Sequence, residues 1–216
     1  RHLLNTYVQA DSVRDLGNIG NLTLTELIIK TGMHDAIAQK LNAKGKLSKN
    51  AVAESIINNI RITLKRDQLT DPQFYEQMSK LLDDLIAKRR DDSADYEAFL
   101  KDAESLVKKI STKHYSAGVP QALQGRPLAT VVYNNLPRIL AAATPDATAD
   151  QSSEYGERMV NLALSIDQVM RENAPAGWKG DSAREAQVLN ALYPVMNRDE
   201  AATVALFELL KNQPGN

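Results

Sequence analysis

Asp71-Pro72-Gln73-Phe74-Tyr75-Glu76-Gln77-Met78-Ser79-Lys80-Leu81-Leu82-Asp83-Asp84-Leu85-Ile86-Ala87-Lys88 is the stretch that decides the fold class. Its aspartate can accept the orphan amides of a helix start, and its proline suits the first helical position, where a missing N–H costs nothing. Phe74, Met78, Leu81, Leu82, Leu85 and Ile86 then recur at the spacing of one helical face. Opposite them stand Glu76–Lys80 and Asp84–Lys88, acid before base. Such i,i+4 pairs stabilise a helix by only about 0.2–0.5 kcal/mol each. Their register against the apolar stripe, rather than their energy, argues for helix.

The same pattern extends outward in both directions. Upstream, Val52, Ile56, Ile57, Ile60 and Leu64 mark a helix over Ser48–Asp67. Downstream, Tyr96, Phe99, Leu100, Ala103, Leu106, Val107 and Ile110 share a face from Ser93 onward, with Glu97–Lys101 and Glu104–Lys108 on the other side. Long helices are therefore expected at about 49–67, 72–89 and 93–111. Thr23-Leu24-Thr25-Glu26 has capping-box spacing ahead of Leu27, Ile28 and Ile29, and a short helix about 35–41 follows Gly32. Ser182-x-x-Glu185 and Asn197-x-x-Glu200 read as two more capping boxes. They precede the stripes Val188, Leu189, Leu192, Val195 and Val204, Phe207, Leu210. Between Tyr155 and Arg171, Met159, Leu162, Ile166, Val169 and Met170 form a further stripe.

Lys113–Arg126 and Ala141–Ser153 read as loops, from their glycine, proline and small polar content. Thr130-Val131-Val132-Tyr133 has strand propensity, but no partner strand is visible and a lone strand is unstable, so helix is expected after Pro127. The expected fold is all-α, a multi-helix bundle with room for two helical subdomains. It divides into a lead-in segment with short helices at 1–47, a main bundle at 48–140 and a C-terminal helical subdomain at 141–216.

Composition narrows the function classes. The 216 residues carry 26 basic and 27 acidic side chains, for a net charge of -1, which argues against wrapping nucleic acid by bulk electrostatics. The absence of cysteine excludes disulfide scaffolds, thiolate metal sites and thiol nucleophiles, and fits a reducing, cytoplasmic setting. No apolar run approaches the ~20 residues that span a bilayer, so no membrane partner is expected. The chain opens at Arg1 without a methionine, and we expect it to be a piece of a longer polypeptide.

Catalytic patterns are not found. Gly45-Lys46-Leu47-Ser48 lacks the spacing and adjacent hydroxyl of a phosphate-binding loop, and Gly17-x-x-Gly20 marks a turn. No Asp-x-Lys or Glu-x-Lys follows Pro145-Asp146 or any other acid, as a magnesium-dependent nuclease would need. His2, His34 and His114 are too far apart for paired metal ligands. Asp83-Asp84 and Asp91-Asp92 are adjacent residues that diverge by about 100° on a helix, so they read as solvated faces. No catalytic residue, metal ligand or cofactor is expected in this stretch.

Binding residues are better represented. Arg61, Lys65, Arg66, Lys88, Lys108 and Lys109 are candidates for DNA contact, although cations near helix C-termini are favoured by the dipole without any ligand. Eleven basic and eleven acidic residues between Arg61 and Lys113 balance one another, unlike a phosphate-tracking surface. Trp178, in Gly177-Trp178-Lys179-Gly180, reads either as an anchor packing its loop on the bundle or as a partner-facing hot spot. With Lys179, and with Arg89 and Arg90 in the Lys88–Asp92 turn, it makes the set of docking candidates.

The order of several motifs resembles a known family. These are Lys49-Asn50-Ala51-Val52-Ala53-Glu54-x-Ile56-x-Asn58-Asn59-Ile60-Arg61, Pro72-x-Phe74-Tyr75-x-x-Met78-Ser79-x-Leu81-Leu82-Asp83-x-Leu85-Ile86-x-x-Arg89-Arg90 and Tyr96-x-x-x-Leu100. Gly177-Trp178-Lys179-Gly180 and Phe207-Glu208-Leu209-Leu210-Lys211-Asn212-Gln213 follow near the end. Together they are similar to the C-terminal helical region of the restriction (motor) subunit, HsdR type, of type I restriction–modification enzymes. Ala10-Asp11 to Leu16-Gly17 and Leu22–Ile28 look like the stretch leading into that region.

The resemblance implies a parent subunit that is an ATP-dependent, site-specific deoxyribonuclease, with a magnesium-dependent nuclease domain and two motor domains upstream. ATP and magnesium belong to that parent. The partners it implies are the methyltransferase and specificity subunits, with duplex DNA met through the whole complex. The expected role is non-catalytic docking; the alternative is guidance of DNA by basic helix patches.

Overall fold

The computed structural model describes residues 22–41, 47–88, 93–113, 115, 118–143 and 153–214. The chain is an all-α multi-helix bundle, and no strand occurs among the described residues. By contact it divides into two compact units, residues 1–65 with 78–113, and residues 66–77 with 114–216.

In the first unit, α1 (Leu24–Thr31) starts at the expected capping box. Thr23 Oγ1 accepts the Glu26 N–H at 3.2 Å, and Glu26 Oε2 accepts the Thr23 N–H at 2.6 Å. Gly32, at φ +86°, closes the helix by donating its N–H to the Ile28 carbonyl, a conformation that costs glycine no Cβ strain. The short helix predicted over 35–41 begins earlier, as α2 (Met33–Ala36), and runs into a π-helical turn at Ile37–Leu41. α3 (Lys49–Asp67), α4 (Pro72–Lys88) and α5 (Ser93–Ser111) follow the periodicity closely.

α1 packs on α2 and α5, and its Thr25 hydroxyl meets that of Thr63 on α3 at 3.3 Å. Ile56, Ile57 and Ile60 of α3, Met78 and Leu82 of α4, and Phe99, Leu100 and Val107 of α5 are buried. Each such side chain contributes about 1.5–3 kcal/mol of hydrophobic free energy. Leu81, Ile86 and Tyr96 lie at the stripe edges and are only half-buried.

The second unit takes in residues 72–77 of α4 and a closed ring of helices. α6 (Pro127–Ala143) packs on α7 (Ser153–Asn173), α7 on α8 (Ser182–Val195), α8 on α9 (Glu200–Lys211), and α9 back on α6. Leu136, Ile166, Leu192 and Leu206, one from each helix, are all fully buried and belong to one hydrophobic cluster. This is the arrangement of a four-helix bundle. Thr130–Tyr133 is helical, as expected. The division predicted at 140/141 falls elsewhere, because α6 buries its apolar face against α7 and α9 and so joins the C-terminal helices.

Two predicted caps are also corrected. α8 is capped by Asp181, whose Oδ1 accepts the Ala183 and Arg184 N–H groups at 3.0 and 3.1 Å, rather than by Ser182. α9 is capped by Asp199, which accepts the Ala202 N–H at 2.9 Å. Asn197 and Arg198 instead take left-handed conformations, φ +53° and +61°, in the turn that leaves α8. In each case the residue immediately before the helix is an aspartate, whose carboxylate is a charged acceptor for the first-turn amides.

Candidate docking site

The second unit carries a groove of about 250 Å³. Leu69, Pro72, Ile139, Ala205 and Leu209 line it, together with the polar residues Asn135, Arg138, Glu208 and Asn212. Leu69 is 62% exposed, so much of its apolar surface is unburied. Ligand pockets for drug-sized molecules usually run from about 300 Å³ upward. This one suits a single large apolar side chain of a partner better than a cofactor.

One of its lining residues, Asn135, belongs to a buried polar network. Asp71 is fully buried, and its carboxylate accepts four hydrogen bonds. The Phe74 N–H (3.3 Å), Asn134 Nδ2 (2.9 Å) and Asn135 Nδ2 (2.7 Å) donate to Oδ1, and the Tyr115 hydroxyl donates to Oδ2 at 2.7 Å. Asn135, which lines the groove, also donates to the Val131 carbonyl and accepts the Gln73 N–H. No cation is bonded to Asp71 among the described residues; neutral donors stabilise its charge. Burial, followed by the charge of Asp71, pushes the Tyr115 phenol far above its ordinary value. Tyr115 therefore remains a donor, and its ring packs on Phe74 at 5.1 Å between centroids.

A further tie holds two stretches that line the groove. Gln213 Nε2 donates to the Thr70 carbonyl at 2.7 Å and to the Leu209 carbonyl at 2.9 Å. The Gln213 carbonyl in turn accepts from the Lys179 ammonium. Two motifs far apart in sequence thus hold one another. Trp178 packs on Phe207 at 5.5 Å, Lys179 reaches Gln213, and Lys211 pairs with Glu185 at 2.8 Å.

The sequence candidates fall out as follows. Trp178 is 8% exposed and sits in the bundle core, so it is the loop anchor and offers no free face. Lys179 lies over the Trp178 ring at 5.6 Å, and partial burial holds its ammonium below the ordinary lysine value. Arg89, Arg90 and the acids Asp91 and Asp92 lie outside the described residues, as do His2, His114, Pro145 and Asp146. Arg61 and Lys65 are exposed on α3. Arg66 is held by Asp67 in a two-point ion pair at 2.7 and 2.9 Å, and Lys108 by Glu104 at 2.6 Å. Lys88 and Lys109 are brought to one groove between α4 and α5, about 210 Å³, but Asp84 and Asp102 line it too. That groove is balanced in charge.

The sequence pattern does not single out Leu69, Ile139 or the Asn134–Asn135 pair. The one available signal was the pair of adjacent amides, Asn134 and Asn135, inside the mainly apolar run from Leu128 to Leu140. Among the described residues no group of three or more histidines and carboxylates could hold a metal ion, and no helix is long and apolar enough to cross a membrane. The chain matches no protein-family model, no curated protein and no solved structure.

Proposed function

We propose that the chain is a non-catalytic docking module, the helical C-terminal region of a type I restriction motor subunit, fastening that subunit to its methyltransferase–specificity core. The observation that carries the reading is the apolar groove, whose lining residue Asn135 is held by the Asp71 network. An interface gains most from an apolar cavity whose walls do not rearrange on binding, because little ordering entropy is then lost. Three of the segments that carry the family resemblance contribute here: Pro72 and Leu209 line the groove, and Gln213, itself held by Lys179, is hydrogen-bonded to Leu209. On this reading nuclease and ATPase chemistry, with magnesium and ATP, resides in the parent subunit, and the assembly works on DNA in the cytoplasm.

The test is a titration of the purified chain against the methyltransferase–specificity complex by calorimetry. Micromolar or tighter binding that Leu69→Glu weakens supports the reading; absence of binding at high micromolar concentration overturns it.

A second reading, guidance of DNA, has one observation in its favour. Arg61 and Lys65 lie one turn apart on α3, both exposed and in no ion pair among the described residues. Phosphate contacts make affinity fall with salt. Duplex binding that Arg61→Ala/Lys65→Ala leaves unchanged excludes this patch.

A further inference from the structure

The second unit holds a charge cluster that neither reading uses. Asp167, on α7, is almost fully buried, with its side chain 2% exposed. Two arginines reach the same oxygen of it: Arg171 NH2 at 3.0 Å from one turn along α7, and Arg126 NH1 at 3.5 Å from the residue before α6. One guanidinium would compensate the buried charge. The second leaves the cluster with a surplus positive charge, and both arginines keep their forks in water, at 47% exposed for Arg126 and 62% for Arg171. A guanidinium has five N–H donors, so each fork retains donors beyond the one given to Asp167.

Glu172, which follows Arg171 in sequence, accepts the Gln168 amide at 2.9 Å and is in no ion pair with either arginine among the described residues. Adjacent helical residues diverge by about 100°, so Glu172 and Arg171 leave α7 in different directions. Elsewhere Lys108 pairs with a single carboxylate, Glu104. At Asp167 two cations meet one acid.

We propose that Arg126 and Arg171, positioned by Asp167, form a binding site for a phosphate oxyanion, supplied by a nucleic-acid backbone or by a free phosphate. Bidentate donation is the mode in which arginine recognises phosphate, and the buried carboxylate restrains both side chains beforehand, which lowers the entropy lost on binding. The site is independent of the docking groove; either can fail while the other stands.

The experiment uses the full chain with two probes, a fluorescent DNA duplex followed by anisotropy and inorganic pyrophosphate followed by calorimetry, each at two salt concentrations. The variants are Arg126→Gln and Arg171→Gln separately, since each removes the surplus charge but leaves Asp167 one partner, so the fold is kept. Glu172→Gln is the opposing variant. Each arginine variant is expected to weaken duplex binding several-fold and to lower the salt slope by about one contact. Glu172→Gln is expected to tighten binding, a change that a purely structural role would not produce. Duplex binding with these effects assigns the site to nucleic acid. Pyrophosphate binding with these effects, without duplex binding, assigns it to a free phosphate. Binding of neither probe at low salt, or binding that all three variants leave unaltered, overturns the proposal.

Discussion

Tyr115→Phe isolates one hydrogen bond in the Asp71 network with little else disturbed. The ring keeps its packing on Phe74, and only the O–H donated to Asp71 Oδ2 at 2.7 Å is lost. A hydrogen bond to a charged, buried group contributes about 1.5–3 kcal/mol, so the variant should lose about 2 kcal/mol. Asp71→Ala removes the acceptor of all four donors and the cap of α4 together. Orphaned donors and the lost cap should then cost about 3–5 kcal/mol, less than a sum over bonds because some donors gain access to water. In the Asp71→Ala background the phenol has no carboxylate to donate to, so Tyr115→Phe should cost little there and the cycle should show a coupling of about 1.5–2 kcal/mol.

Urea titration followed by tryptophan fluorescence is the appropriate assay. Trp178 is the only tryptophan and sits in the same unit as the network, so it reports on that unit alone. A Tyr115→Phe loss under about 0.5 kcal/mol, the scale of an ordinary surface change, or strictly additive single effects, would refute the view that neutral donors hold this carboxylate.

The remaining predictions concern the groove, the anchor and acid stability. Trp178→Ala removes a core side chain and should lower stability by about 3–5 kcal/mol, seen as a lower melting temperature; unchanged melting would remove it from the core. Leu69→Glu, at a 62% exposed position, should alter stability by no more than about 0.5 kcal/mol yet weaken docking about tenfold. The Glu185 carboxyl is held below its ordinary 4.5 by the Lys211 hydrogen bond and then by the Gly180 N–H, while the Lys211 ammonium is raised above its ordinary 10.5 by the same bond. The carboxylate's stabilisation is complete above pH 4.5 and lost as pH falls through the depressed value; the ammonium's is complete below pH 10.5 and lost as pH rises through the elevated one. Glu185→Gln should therefore flatten both limbs of a plot of melting temperature against pH, and two unaltered limbs would show that this pair is energetically silent.

Local pattern carried a large part of the fold into the sequence. The stripe in Asp71–Lys88 and its counterparts in α3 and α5 set which faces are buried, because helical periodicity places residues without reference to anything distant. Asp71 was legible as a cap for the same reason. The caps of α8 and α9 were misplaced by one or two residues. Ser182 and Asp181, or Asn197 and Asp199, are all competent caps, and only the backbone angles decide which one leaves the helix.

What the sequence by itself determined is the secondary structure and the polarity of each face, since these follow from interactions within a few residues along the chain. Tertiary structure alone decided that Asp71 would collect Tyr115, Asn134 and Asn135, that Trp178 would turn inward onto Phe207, and that Asp167 would gather two arginines. Those outcomes depend on which helices become neighbours. That choice is made by the summed burial of whole apolar faces, and no short motif encodes it.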